Sequence, residues 1–101
     1  YMTILYTPEA RHDLISIRQY ILENYFDDLA AKRLTKKIVE RIALLEANPE
    51  MGVSLQKRVN RETDLQLLLI DKHIAFYRVS EDEIQIIRIL DTRMDYMKEI
   101  F

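Results

Sequence analysis

After its first few residues, the hydrophobic period of this chain changes once, and that change limits its fold more than any other feature. Ala10, Leu14, Ile17, Ile21 and Tyr25 recur at steps of three and four, and Ala31, Leu34, Ile38, Ile42 and Leu45 do so again. Each set lies on one face of a helix. From Leu65 onward the apolar residues come instead in short dense runs, too brief for helices and rich in residues that favour strands.

Local signals place the boundaries. Tyr1 to Tyr6 reads as a strand, with alternation at Met2, Ile4 and Tyr6. Thr7-Pro8-Glu9-Ala10 then starts a helix: Thr7 can cap, Pro8 suits the first turn, and Glu9 meets the positive end of the dipole. Phe26-Asp27-Asp28 breaks and restarts the helix, and Asn48-Pro49 stops the second one. So short a break predicts an antiparallel helical hairpin. Residues 48–63 read as a loop containing Gly52, Lys57, Arg58 and Arg61. Leu65 to Ile70, Ile74 to Val79 and Ile84 to Leu90 then read as an antiparallel three-stranded meander, with an acidic turn at Ser80-Glu81-Asp82-Glu83. The tail after Asp91 ends in one or two amphipathic turns. The order β-α-α-β-β-β predicts an α+β domain spanning 1–101, with the helical hairpin on one face of a small antiparallel sheet and the other face free for function.

Composition narrows the functions. With 101 residues, 49% hydrophobic and 32% charged, the chain suits one domain. It has no cysteine, so a thiolate metal site, a disulfide framework and a cysteine nucleophile are excluded. One glycine cannot build a dinucleotide fingerprint or a P-loop, and no cofactor is expected. The net charge of −2 gives no global field toward nucleic acid. The absence of a long apolar run or a leader pattern makes a cytoplasmic location and no membrane contact the expectation.

Few residues stand out chemically. His12 and His73 lack the spacing of metal ligands, and no metal is expected; His73, at a strand start, could titrate near neutrality. Glu81-Asp82-Glu83 reads as a solvated hairpin tip, and Lys32-Arg33 with Lys36-Lys37 as a solvated helix flank. Arg88 is more telling, because Ile84 to Leu90 is otherwise nearly all apolar and an unpaired buried guanidinium is costly. It either pairs with a carboxylate, Asp91 or Asp95 being candidates, or opens onto the uncovered sheet face. If Val79 pairs with Ile84, Tyr77 lies opposite Ile86 and Arg88 opposite Ala75. Tyr77, Arg88 and His73 then share one face, with Ile74, Phe76, Ile87 and Ile89 on the other. Arg78, Arg93, Lys57, Arg58 and Arg61 would extend a local positive zone able to hold phosphate.

The residues also resemble a family. Tyr6-Thr7-Pro8-Glu9-Ala10, Asp13-Leu14, Tyr20-Ile21, Ala30-Ala31-Lys32-Arg33-Leu34 and Asn48-Pro49-Glu50-Met51-Gly52 are similar to stretches of the RelE/ParE toxins of bacterial type II toxin–antitoxin modules. So are Phe76-Tyr77-Arg78-Val79, Ile86-Ile87-Arg88-Ile89-Leu90 and Arg93-Met94-Asp95-Tyr96, so the likeness runs almost end to end. The resemblance implies a growth-inhibiting toxin neutralised by a cognate antitoxin, through which alone it reaches operator DNA. It implies one of two targets: DNA gyrase for the ParE-like branch, or mRNA on the ribosome for the RelE-like ribonucleases. Where many members carry His-x-Arg-Arg-Asp, this chain has Asp91-Thr92-Arg93-Met94-Asp95. Leu65-Gln66-Leu67 and Ile74 stand where basic residues often occur. Those departures and the long helical hairpin favour gyrase inhibition by binding, with Tyr77, Arg78, Arg88, Arg93, Asp95 and Tyr96 as target-binding candidates. The alternatives are an endoribonuclease using Arg88, Arg93 and Tyr96, and a weakened toxin that only binds its antitoxin.

Overall fold

A computed structural model describes residues 2–101; Tyr1, included in the expected first strand, lies outside them. The order is β1 (Thr3–Tyr6), α1 (Pro8–Tyr25), α2 (Asp28–Ala43), a 3-10 turn (Leu44–Glu46), β2 (Val53–Ser54), β3 (Gln66–Ile70), β4 (His73–Val79), β5 (Glu83–Asp91) and α3 (Tyr96–Ile100). The fold is the expected α+β arrangement, with a helical hairpin against a sheet.

The helix starts follow from their caps. The Thr7 hydroxyl accepts from the Ala10 N–H at 3.0 Å and donates to the Ile87 carbonyl at 2.9 Å, so one side chain begins α1 and ties it to β5. Asp27 caps α2 by accepting from the Ala30 N–H at 2.9 Å. Between the helices Phe26 adopts a left-handed backbone, φ 51°, which ends α1 within a residue.

The sheet has five strands in the order β1-β5-β4-β3-β2 and is mixed rather than wholly antiparallel. β3, β4 and β5 form the predicted meander, while β1 runs parallel to β5 with Thr3 opposite Glu83 and Tyr6 opposite Ile86. The chain reaches β5 only after the helical hairpin and the strands β2 to β4, and this long crossover permits the parallel pairing. The two-residue β2 arises inside the expected loop, pairing Val53 with Leu67 and Ser54 with Gln66.

Both sheet faces are covered, which corrects the expectation of a free face. On one side Ile38, Ile42, Leu45, Leu68, Ala75, Tyr77, Ile84, Ile86 and Ile89 form the main core under the helices. On the other, Leu55, Leu65, Leu67, Ile74, Phe76 and Leu90 form a second core, flanked by Val59, Ile87, Tyr96 and Ile100. The strands carry apolar side chains on both faces, and leaving the second set in water would cost roughly 1.5–3 kcal/mol per large side chain. The segment from Leu55 to Leu65 and α3 supply the cover.

Candidate functional site

β1 is shorter than the strand it pairs with. It stops opposite Ile86 because Thr7-Pro8 turns the chain into α1, whereas β5 continues to Asp91. The edge of β5 beyond Ile87 therefore needs another partner, and α1 provides it. Asp13 accepts a hydrogen bond from the Ile89 N–H at 2.8 Å and takes the Arg88 guanidinium through Nε at 2.8 Å and Nη2 at 3.0 Å. Asp13 is only 8% exposed, so its carboxylate stands in for a missing strand and neutralises an arginine together. Glu99 of α3 adds a second carboxylate 3.7 Å from Arg88 Nη1. Arg88 is thus tied to Asp13 and Glu99, not to Asp91 or Asp95. Asp13, then Glu99, hold its guanidinium even more firmly charged than usual.

A register shift explains the difference from expectation. Val79 opposes Ile84 and Tyr77 opposes Ile86 as predicted, but the next pair is Phe76 with Arg88, leaving Ile87 as an extra residue. This β-bulge reverses the facing of all that follows. Ile89 joins Ala75 under the helices, Ile87 packs on the α3 side, and Arg88 comes to the strand edge within reach of Asp13.

The proposed cluster of Tyr77, Arg88 and His73 is accordingly not formed. Tyr77 is fully buried; its hydroxyl accepts from the Gly52 N–H at 3.0 Å and lies 3.0 Å from the Pro49 carbonyl and 3.2 Å from Gln66 Oε1. Burial raises its phenol pKa. Its geometry fastens the β2 loop to the sheet, so Tyr77→Phe is expected to lower unfolding free energy by about 1–3 kcal/mol in urea titration. Tyr96 packs its ring 5.4 Å from that of Phe76, and Asp95 caps α3 by accepting from the Lys98 N–H. Arg78 pairs with Asp64 at 2.8 Å. The broad positive zone is divided as well: Arg61, in the segment that covers the second core, stacks 4.1 Å over the Phe101 ring.

What remains together is a groove of about 1440 Å³ along α1 and the far ends of β4 and β5. Ile17, Ile21, Leu34 and Ile89 line it with apolar surface, and Tyr20, Tyr25 and Met94 stand exposed along it. Arg88, Arg93, His12 and His73 bring nitrogen to its walls. Arg93 is held by Asp91 in a two-pronged pair, Nε to Oδ1 at 3.0 Å and Nη2 to Oδ2 at 2.9 Å, and its backbone N–H also donates to Oδ1 at 2.8 Å. The pair raises the Arg93 pKa and pulls the Asp91 carboxyl down to about 2 from an ordinary 3.8. A folded-state value below the unfolded one adds stability above pH 3.8 that is lost as pH falls toward 2. Asp91→Asn should therefore flatten that acid limb in urea midpoints measured from pH 5 to 2.

Among the described residues, no three His, Asp or Glu side chains gather in a way that could hold a metal ion. Among the same residues, no helix is long and apolar enough to cross a membrane. The sequence matches, over residues 4–96, the family described as the ParE toxin of the type II toxin–antitoxin system parDE.

The chain belongs to that family.

Among solved structures, this ParE-family chain is similar to a chain of the chromosomal ParDE system from P. aeruginosa. The match has TM-score 0.75 and 25% identity, covering 89% of this chain and 95% of the other. The YoeB dimer from Staphylococcus aureus matches with TM-score 0.56 and 22% identity, covering 86% of this chain and 92% of that one. The YoeB–YefM complex from the same organism matches with TM-score 0.54 and 21% identity over 88% and 94%. The two YoeB likenesses show a shared fold. A search of curated proteins finds no match. Asp13 is the residue that reading by composition and spacing passed over. It lies three positions after Ala10 and one before Leu14, on the buried stripe of α1, and a carboxylate there demands a cation such as the Arg88 embedded in an apolar run.

Proposed function

We propose that this toxin acts by binding and inhibits DNA gyrase, and that a cognate antitoxin silences it. The observation carrying the binding mode is the pairing of the candidate arginines. Arg78, Arg88 and Arg93 each meet a carboxylate of the same chain, at Asp64, Asp13 and Asp91 respectively. Cleavage of RNA needs cationic donors facing the charge that develops on phosphate, with an acid or base in hydrogen-bond reach. Here the charges are met internally, and Tyr77 and Tyr96 are committed to packing. Such a surface recognises a protein by shape and apolar contact. The family match and the likeness to a chain of the chromosomal ParDE toxin–antitoxin system support an antitoxin partner here. The groove beside α1, with Tyr20, Tyr25 and Met94 exposed, is the surface we assign to that partner.

The test adds purified toxin to a gyrase supercoiling reaction. Loss of supercoiling with accumulation of cleaved DNA is expected. Unimpeded supercoiling and no trapped complex would refute gyrase as the target. Ribosome-dependent cleavage of mRNA in a parallel translation reaction, abolished by Arg93→Ala, would place the chain with the ribonucleases.

A further inference from the structure

His73 and Asp91 face each other at the ends of β4 and β5. Two residues along, Ala75 and Ile89 oppose each other in the core beneath the helices, so strand alternation puts His73 and Asp91 on that same side. His73 is 8% exposed, lines the groove, and encloses an Nδ1 that meets no hydrogen-bond partner. Directly opposite cross-strand residues have Cβ atoms about 4.5–5.5 Å apart, within which an imidazolium N–H can reach a carboxylate.

We propose that His73 and Arg93 compete for the Asp91 carboxylate, so that protonation of His73 turns the Arg93 guanidinium out into the groove. Both Asp91 oxygens serve Arg93 while His73 is neutral. Yet the Arg93 side chain is three-quarters exposed, so its guanidinium can leave Asp91 for water without uncovering a buried charge of its own. The carboxylates around His73 other than Asp91 have partners of their own, and Lys72, which adjoins it on the groove, is a cation that cannot take its proton. Asp71, in the turn before β4, is bound to Lys37 of α2 at 2.7 Å, with Arg41 of α2 adding positive potential there. From α1, Asp13 is taken up by Arg88 and Ile89, leaving His12 and the Tyr20 and Tyr25 phenols as the helix's other titratable groups on the groove. The Thr92 N–H donates to the Lys72 carbonyl at 2.8 Å, so the strand ends are pinned and the exchange falls on side chains. Burial lowers the His73 pKa, against a weaker opposing pull from Asp91. The imidazole is therefore neutral and Arg93 retained at neutral pH; in acid a buried cation appears and the nearby carboxylate is drawn to it. The groove then gains a free guanidinium able to take a carboxylate or phosphate.

The experiment is an NMR pH titration of the full labelled chain, following the His73 ring and the Arg93 Nε–Hε signal. The Arg93 signal is expected to lose its bonded shift and its protection from exchange at the His73 midpoint. Arg93→Gln should raise that midpoint by roughly one pH unit, since it frees Asp91 and removes a cation. His73→Gln should leave the Arg93 signal unresponsive over the same range. An Arg93 signal that ignores the His73 titration, or one that still responds in His73→Gln, would overturn the proposal. So would an unchanged His73 midpoint in Arg93→Gln.

Discussion

Asp13→Ala is expected to remove about 3–5 kcal/mol of unfolding free energy, read as a lower urea midpoint at an unchanged slope. Three hydrogen bonds end on that carboxylate, two from Arg88 and one from the Ile89 backbone. Truncation leaves the Ile89 N–H without its acceptor and Arg88 with only Glu99 at 3.7 Å. A domain of this size has roughly 5–15 kcal/mol in all, so the variant would sit near the edge of folding. Asp13→Asn keeps an acceptor for Ile89 and should lose less. Replacing both members, Asp13→Leu with Arg88→Met, should recover part of the loss, because no unpaired charge then remains. A loss below about 1 kcal/mol for Asp13→Ala would mean that other contacts hold the edge of β5.

Gly52→Ala is expected to cost about 2–3 kcal/mol, again in urea or as a lowered Tm. Gly52 has no left-handed backbone to maintain; what requires glycine is proximity. A methyl group there would run into the Tyr77 hydroxyl, its ring at 2.9 Å and the Leu67 carbonyl. The Tyr77 side chain has nowhere to retreat, being buried and bonded, and Leu67 is pinned in β3. Combining Gly52→Ala with Tyr77→Phe should therefore remain destabilised, because the carbonyl is backbone. Full recovery in the double variant would show that the hydroxyl alone demanded glycine.

The helices were legible because their stripes, caps and breaks are local: Thr7, Asp27 and Asn48-Pro49 act within a turn of themselves. The meander was legible for the same reason, and its turns placed Val79 against Ile84. The bulge at Ile87 was not, because apolar residues occupy both faces of β5 and alternation there carries no sign of a slip. That one residue moved Ile89 to the other face and redirected Arg88. The parallel seat of β1, the pairing of Asp13 with Arg88 and the cover over the second sheet face were hidden by distance. Each joins segments whose local patterns say nothing of one another. The candidate site was read as basic residues in sequence, whereas the fold decides which of them already has a carboxylate.

The parallel seat of β1 also bears on when this toxin can become a toxin at all. Thr7 meets Ile87 across 80 residues, and Asp13 meets Arg88 across 75. On a ribosome making the chain from its amino end, both helices emerge with their closing strand still untranslated. The first strand has nothing to lie against until β5 follows it out. Long-range closure of this kind slows folding relative to a helical bundle of similar length. The groove, whose walls come from α1 and β5 alike, is absent from every nascent chain that stops short of β5, so whatever binds it must meet a polypeptide already translated through Asp91.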